Sequence, residues 1–253
     1  MEFDPAKYII KHLQNSHAWH PAPFLPAVHL PSFLTVHTLF LLVVSCLLIF
    51  IFGFVYKKTA GVPTGMTNLL EMFVVFIRDE ISIACLGPED GRKMTPLFCT
   101  YFFFILMSNL LGLIPVFPTV TSNVSLTCGL ALSVLSFMIL GSIYKNGFVH
   151  FIKIFVPSGV PLPVLLILTP IEFMGVFIKA FALMIRLFAN MLAGHIVILA
   201  ILSLVVILGL VALPVVFLAV FISLLEVFVS FLQAYIFTLL SALFIGQMYH
   251  PEH

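Results

Sequence analysis

Arg186 is a charged side chain in the middle of an apolar stretch that runs from about Val164 to Leu208. A guanidinium cannot lose its charge, and placing one in a bilayer costs several kcal/mol, roughly 2.5–3.5 on insertion scales. Lys179 and Glu172 lie seven and fourteen residues upstream, and a seven-residue step returns within about 20° of the same helical face. The three residues form one charged stripe, which favours an ion path. The alternative is a structural salt-bridge ladder, or charged side chains whose ends reach the lipid headgroups.

A histidine and a second acid lie further along the apolar sequence. His195 is nine residues beyond Arg186, about 180° round the helix. A hairpin through residues 209–214 would bring the last apolar segment back, with Glu226 and His195 roughly equidistant from the turn. A histidine and a glutamate in a low dielectric make a proton-transfer pair. The alternative is a His195 that only forms a hydrogen bond between helices.

Polar residues near these groups extend both clusters. Asn190 is one turn beyond Arg186. Gln233 shares a helical face with Glu226, and Gln247 lies only about 40° from that face. Two protonatable clusters, Glu172 with Lys179 and His195 with Glu226, therefore lie on opposite sides of the permanent positive charge of Arg186. A fixed cation repels hydronium and would block one continuous proton wire. The arrangement indicates two half-paths that share a barrier.

Composition restricts the class of protein. Of the 253 residues 62% are hydrophobic and 8% are charged, against about 25% charged in soluble domains, and the mean hydropathy is +1.24. The chain is predicted to be an all-α polytopic membrane protein. A net charge of +1 without a basic cluster indicates no nucleic-acid partner. Four scattered cysteines and no phosphate-binding glycine-rich loop predict no metal, no cofactor and no direct binding of ATP.

Charged residues divide this single membrane domain, residues 1–253, into segments. None lies between Lys11 and Lys57, and none between Lys93 and Lys145. After an N-terminal lead-in over residues 1–32, the predicted membrane-crossing helices are 33–56, 97–116, 124–144, 164–208 and 215–248. The last two are too long to stand upright and are predicted to tilt strongly as a hairpin. A break near residue 185 would leave backbone unsatisfied at membrane depth.

Three shorter features complete the predicted organisation. Residues 64–86 are amphipathic with a helical period and predict an interfacial helix, or one that packs on a soluble part of another subunit. The polar run Gly87–Lys93 predicts a turn, and Asn109 inside a crossing predicts a hydrogen bond across helices. Histidines of the lead-in and the first crossing have spacings that fit no metal pattern, so a membrane-interface lead-in is favoured over a metal site: His12, His17, His20, His29 and His37.

Positive charge predicts the orientation. The loop at 57–95 holds five Lys or Arg residues and the loop at 145–163 holds two, whereas those at 117–123 and 209–214 hold none. The positive-inside rule places the first two loops in the cytoplasm. The N-terminus is then outside and the C-terminus cytoplasmic.

Several segments resemble one family. The runs Pro170–Glu172, Arg186–His195 (RLFANMLAGH), Gln233–Tyr235 and Ser108–Pro115 (SNLLGLIP) are similar to subunit a of the F-type rotary ATP synthase. The resemblance extends over nearly the whole chain, and a match as long as RLFANMLAGH is improbable by chance. It implies a non-catalytic stator subunit whose two long tilted helices wrap a ring of c subunits.

The resemblance also implies roles for individual residues. Arg186 matches the essential arginine that faces the ring carboxylate, and Asn190 and Gln233 would flank it. His195 and Glu226 match positions that line the outer proton half-channel, and Glu172 matches one that lines the inner. The implied partners are the c ring, the b subunits of the peripheral stalk and the remaining ATP synthase.

Other functions remain compatible with the buried charges alone. A stand-alone proton-coupled transporter or ion channel would use the same groups, and a structural scaffold would tolerate loss of Arg186. A bacterial inner membrane is favoured as the location, with an organelle inner membrane as the alternative.

Overall fold

A computed structural model describes most of the predicted crossing segments. The described residues are 18–19, 28–31, 35–55, 65–114, 117, 119–156, 161–208 and 213–250. Most of the lead-in, with His12, His17 and His20, therefore lies outside the described residues. So do the loop at 56–64, Pro115, Pro118, residues 157–160 and the turn at 209–212.

Helices dominate the described chain. A two-residue antiparallel pairing joins β1 (Ala18–Trp19) to β2 (Val28–His29). The helices are α1 (Val36–Phe50, extended by a π-helical segment Ile51–Val55), α2 (Met66–Phe76, extended by Ile77–Ile83), α3 (Ala84–Gly112), α4 (Val124–Asn146), α5 (Phe148–Ile154), α6 (Leu162–Leu208) and α7 (Leu213–Tyr249). A short 3₁₀ turn, Val120–Ser122, precedes α4.

Four of the described helices are long and apolar enough to cross a membrane. These stretches are Val36–Phe54, Val124–Asn146, Pro163–Val205 and Leu213–Tyr249. The prediction of an all-α polytopic membrane protein is thereby confirmed. The predicted crossing at 97–116 is not among the four, and its residues up to Gly112 belong to α3, whose first turns are polar. The 47 residues of α6 form one helix without a break near residue 185.

The junction at Gly87 differs from the predicted polar turn. Gly87 has φ 79° and ψ 173°, a conformation that essentially only glycine adopts. Residues 88–93 are helical instead of forming a turn. The reason is local, because Pro88 has the fixed φ that suits a first helical position. Glu89 and Asp90 then place negative charge where the amide groups of a helix N-terminus favour it.

Helix α2 and its π-helical extension occupy the segment predicted to be interfacial. Thr67, Leu70, Ile77 and Ser82 are buried. The exposed side includes large apolar side chains as well as polar ones: Met66, Leu69, Met72 and Phe76. The helix is therefore present, and its position along the membrane surface stays a prediction.

Contacts within the chain define two compact units. The first comprises Met1–Tyr56, Phe103–Leu126 and Leu187–Ala234. The second comprises Lys57–Phe102, Thr127–Arg186 and Tyr235–His253. Each long helix thus contributes one part to each unit, with α6 divided after Arg186 and α7 divided after Ala234.

The first unit has an apolar cluster beside a polar one. Val36, Phe40 and Val120 are buried together, and the rings of Phe40 and Phe117 lie 5.2 Å apart. In the next turn the Thr121 hydroxyl donates a hydrogen bond of 2.8 Å to the Asn109 carbonyl oxygen. The predicted partner for Asn109 therefore exists, and it comes from the 3₁₀ turn that precedes α4.

The second unit is held by aromatic packing. Tyr101 packs edge-on against Phe237 with ring centroids 5.8 Å apart, and its hydroxyl lies 2.8 Å from that of Ser133. Phe98 and Phe237 are fully buried. Large aromatic side chains bury enough area to position helices, so α3, α4 and the last turns of α7 are fixed against one another in this unit.

Candidate functional site

The charged stripe of α6 lies in the second unit without internal ion pairs. Glu172 and Arg186 are exposed, and Lys179 is half-buried. Within the described residues, ion pairs join Arg78 to Asp79, Lys145 to Asp90 and His250 to Asp90. None of them joins two members of the stripe, so the salt-bridge ladder is not the arrangement found here.

Lys179 has neutral partners. Its Nζ donates a hydrogen bond of 2.8 Å to Oε1 of Gln247 and lies 5.4 Å from the ring centroid of Phe244. An amide oxygen and an aromatic face both stabilise a cation without cancelling its charge. The contact with Gln247 connects α6 to the end of α7.

A cavity of about 600 Å³ lies beside these residues in the second unit. Glu172 and Lys179 line it from α6, and Gln247 and His250 from the C-terminal end. The other lining residues are Ala84, Cys85, Ile154, Phe155, Gly175, Val176, Leu243, Gly246 and Met248. A space of this size that is lined by an acid, an ammonium group and an amide holds water readily.

His195 is buried in the first unit with its tautomer fixed. Its Nδ1 lies 3.1 Å from the carbonyl oxygen of Gly112. A carbonyl oxygen only accepts, so Nδ1 carries the hydrogen and donates it. In the neutral imidazole Nε2 is then the basic nitrogen, and His195 is oriented to take up a proton there. The contact also fulfils the alternative expectation, that His195 bonds between helices.

Glu226 lies directly against the residue before His195. A Cβ added to Gly194 would overlap the Glu226 carboxyl group. Because Gly194 has no side chain, the carboxyl group of α7 can reach the backbone of α6 beside His195. The structure therefore brings together the acid and the histidine segment that sequence spacing placed at one depth.

Five further buried polar atoms of the first unit have no hydrogen-bond partner among the described residues. They are Ser108 Oγ, Asn109 Nδ2, Thr119 Oγ1, Ser230 Oγ and Gln233 Nε2. Buried polar groups without partners are rare in folded proteins, and bound water commonly satisfies them. All five belong to the unit that carries His195 and Glu226, so bound water would find hydrogen-bond partners there.

The sequence did not point to every residue of this region. Ser230 lies four residues after Glu226 and three before Gln233, so helical periodicity was a signal that could have found it. Thr119 lies in a loop with no period, and Cys85 and His250 reach the cavity of the second unit only through folding. Asn190 is half-buried, and Gln233 is buried.

These features define a class of protein. Long apolar helices carry a histidine–glutamate region in one unit and a cavity lined by an acid and an ammonium group in the other. Arg186 is an exposed cation of a candidate membrane span. Ionisable groups in membrane helices mark ion pathways far more often than scaffolds. The site and the fold are those of a polytopic membrane protein that handles ions.

Comparison with known proteins specifies the family. Residues 37–246 match the family described as ATP synthase A chain. ATP synthase subunit a of Chloroherpeton thalassium is 40% identical over 266 residues, covering 99% of this chain and 79% of the relative. The same subunit of Myxococcus xanthus is 42% identical over 234 residues, covering 87% and 76%. The chain belongs to the ATP synthase A chain family.

Some relatives are considerably longer. ATP synthase subunit a of Anaeromyxobacter dehalogenans strain 2CP-C is 43% identical over 207 residues, which cover 80% of this chain and 54% of the relative. The chain thus spans about half the length of that relative.

Three glycine substitutions test the close approaches. A Cβ at Gly246 would meet the Cys85 backbone carbonyl, which cannot move aside, whereas a Cβ at Gly194 would meet only the mobile end of Glu226. We expect Gly246→Ala to lower the free energy of unfolding by about 1–3 kcal/mol. Gly194→Ala should leave it unchanged or raise it by about 0.5–1 kcal/mol, because alanine favours a helix. Melting temperatures in detergent measure the change in stability of both variants.

Gly129→Ala is the matched control, because a Cβ there meets nothing within 4 Å. Equal melting temperatures for Gly246→Ala and Gly129→Ala would contradict the close approach of α7 to Cys85.

Proposed function

We propose that this chain is the stator subunit a of an F-type ATP synthase, which provides two proton half-channels beside a c ring. One observation carries the proposal. Arg186 is a permanent cation in a candidate span of α6, it is exposed, and no described residue pairs with it in a hydrogen bond or ion pair. An arginine at membrane depth needs a compensating anion. The ring carboxylate is an anion of the required kind, and it would come from outside this chain.

The outer half-channel is assigned to the first unit. His195 Nε2 takes up a proton, and Glu226 beside Gly194 exchanges it. The unpartnered polar atoms of Asn109, Ser230 and Gln233 support this assignment, because bound water at such atoms relays protons. Asn190 completes the polar set on α6. The proton then passes to a carboxylate of the ring.

The inner half-channel is assigned to the cavity of the second unit. Glu172 accepts the proton that the ring releases, and Lys179 with Gln247 forms the opposite wall. Glu172 and Lys179 line the same cavity, so its wall carries both an acid and an ammonium group. The cavity volume and its polar lining support a route to the aqueous phase.

Arg186 separates the two half-channels in this mechanism. In chain order it lies after Glu172 and Lys179 and before His195. A protonated ring carboxylate is neutral and can enter lipid at little cost, whereas an ionised one cannot. The positive charge of Arg186 favours the ionised form of the ring carboxylate. The carboxylate therefore releases its proton near Arg186, into the inner half-channel. The driving force is about 2.3 kcal/mol per charge for each 100 mV, plus the pH gradient.

Location and partners follow from the same assignment. The chain would lie in a bacterial inner membrane with its N-terminus outside and its C-terminus in the cytoplasm. The b subunits of a peripheral stalk would hold it against the rotation of the ring. It would neither bind nor hydrolyse ATP itself.

Substitution of Arg186 tests the proposal directly. We expect Arg186→Ala to abolish ATP synthesis and ATP-driven proton pumping in membrane vesicles, because nothing then separates the half-channels. Passive proton leak should persist, and the assembled complex should still be recovered. The matched control is Arg78→Ala, which removes an exposed arginine that pairs with Asp79 outside the candidate spans, and pumping should survive it.

Retained pumping in Arg186→Ala would contradict the role as a barrier. A purified chain that moves protons without a c ring would favour the stand-alone transporter instead.

Substitution of the outer pair tests the assignment of the first unit. We expect Glu226→Gln and His195→Gln each to slow ATP synthesis at a limiting proton gradient by about 10²- to 10⁴-fold, the usual contribution of a proton-transfer group. Gly194→Ala should also slow synthesis, since it displaces the Glu226 carboxyl group, although its fold is retained. Synthesis rates against the imposed gradient provide the measurement, and unchanged rates in all three variants would exclude this outer path.

Thiol labelling tests whether water reaches the inner cavity. Cys85 lines the cavity, and burial raises the pKa of its thiol. With the other three cysteines changed to serine, a charged methanethiosulfonate reagent should label Cys85, and labelling should accelerate as pH rises because the thiolate is the reacting form. The control is a variant that retains only Cys46, an exposed thiol of the α1 candidate span. Equal labelling of both thiols, or none of Cys85, would argue against an aqueous cavity.

A further inference from the structure

His250 lies among three polar groups at the C-terminal end of α7, in the second unit. Its Nε2 is 2.9 Å from Lys145 Nζ, 3.2 Å from Asp90 Oδ2 and 3.1 Å from the carbonyl oxygen of Leu86. Lys145 also donates to Asp90. Asp90, Lys145 and His250 are here named the C-terminal cluster.

One nitrogen cannot satisfy these neighbours at the same time. Without a hydrogen, Nε2 accepts from the Lys145 ammonium group. With a hydrogen, it donates to Asp90 or to the Leu86 carbonyl, and it then opposes the N–H groups of Lys145. Protonation of the imidazole therefore exchanges the partner of His250 and adds a second cation beside Lys145.

Asp90 remains the fixed anion of the cluster. The hydrogen bond and the charge of Lys145 lower the pKa of the Asp90 carboxyl group below its usual range. Asp90 is therefore ionised throughout the range in which histidine side chains usually titrate, about pH 5–8. An imidazole is the kind of side chain whose charge ordinarily changes over that range.

Uncharged contacts fix the surrounding backbone. Ser142 donates to the carbonyl oxygen of Met248 at 2.8 Å, and Asn146 donates to that of Tyr249 at 3.2 Å. These bonds satisfy carbonyl groups at the C-terminus of α7, which have no partner in the helix itself. They do not depend on pH, so protonation changes the charge at His250 while the end of α7 stays attached to α4.

His250 also lines the cavity that contains Glu172 and Lys179. We propose that the C-terminal cluster is a pH-sensitive control of this cavity, in which protonated His250 hinders the passage of protons. The proposal rests on the proposed function, because it needs the cavity to be a proton path. A second positive charge on a wall that already carries Lys179 repels hydronium. Acidification of the aqueous phase at the C-terminus would then slow the passage of protons through the cavity.

The groups that face His250 determine the direction of each effect. Asp90 faces it from α3, Lys145 from α4, and Glu172 and Lys179 line the same cavity from α6. Removal of the Asp90 charge makes protonation of the imidazole harder, and removal of the Lys145 charge makes it easier. The two changes should shift the pH dependence of proton passage in opposite directions. A mere loss of packing would not produce opposite shifts.

The test is ATP-driven proton pumping in inverted vesicles of the assembled complex, measured from pH 5.5 to pH 8 outside. We expect the rate of the unchanged protein to fall about fivefold at acid pH, the factor that corresponds to about 1 kcal/mol between like charges in water. His250→Gln should lose this fall, and His250→Arg should show the slow rate at every pH. In Asp90→Asn the pH at which the pumping rate falls should be about one unit lower. In Lys145→Gln that pH should be about one unit higher.

The same acid fall in His250→Gln would overturn the proposal. So would shifts in the same direction in Asp90→Asn and Lys145→Gln, and this pair decides the matter if His250→Gln does not assemble. Failure of the proposed function is distinguishable, because Arg186→Ala would then keep its pumping. Failure of the C-terminal cluster alone would leave the Arg186→Ala result intact.

Discussion

The cost of a charge away from water governs the arrangement of this protein. Two ionisable side chains of the long helices reach a group that lowers this cost, and the two groups differ. Lys179 has an amide oxygen and an aromatic face, and His195 has a backbone carbonyl oxygen. Arg186 has no such group in the described chain. That difference is the reason why we propose that the arginine meets a group from outside this chain.

Close approach between helices depends on glycine, and two of these glycines lie at the ionisable groups and the cavity. Gly194 admits the Glu226 carboxyl group to the backbone of α6, and Gly246 admits the Cys85 carbonyl oxygen to α7. Small residues bring membrane helices together because apolar side chains gain little from leaving lipid. The same residues therefore position the chemistry, since one glycine sets the place of an acid and the other forms a wall of the cavity. Packing and function share these contacts.

The two units differ in the chemistry they offer. The first holds a histidine of fixed tautomer, an acid and several neutral polar atoms without a hydrogen-bond partner among the described residues. The second holds a cavity of about 600 Å³ with an acid and an ammonium group on its walls, and His250 of the C-terminal cluster also lines it. Neutral polar groups suit the relay of protons, and fixed charges suit control of their release. This difference is the basis on which we propose one half-channel in each unit.

The sequence by itself determined the helical class, the long apolar helices and the main ionisable residues. Charge patterns and helical periodicity are local signals, and the long motif around Arg186 identified the family. Tertiary structure alone decided which groups meet. Asn109 bonds to Thr121 of a loop, Glu226 reaches Gly194, and Lys179 pairs with Gln247, 68 residues away. It also decided that Gly87–Lys93 opens a helix and that His250 joins Asp90 and Lys145. Such contacts depend on how segments that are distant in the sequence pack together. The periodicity of one segment carries no information about that packing.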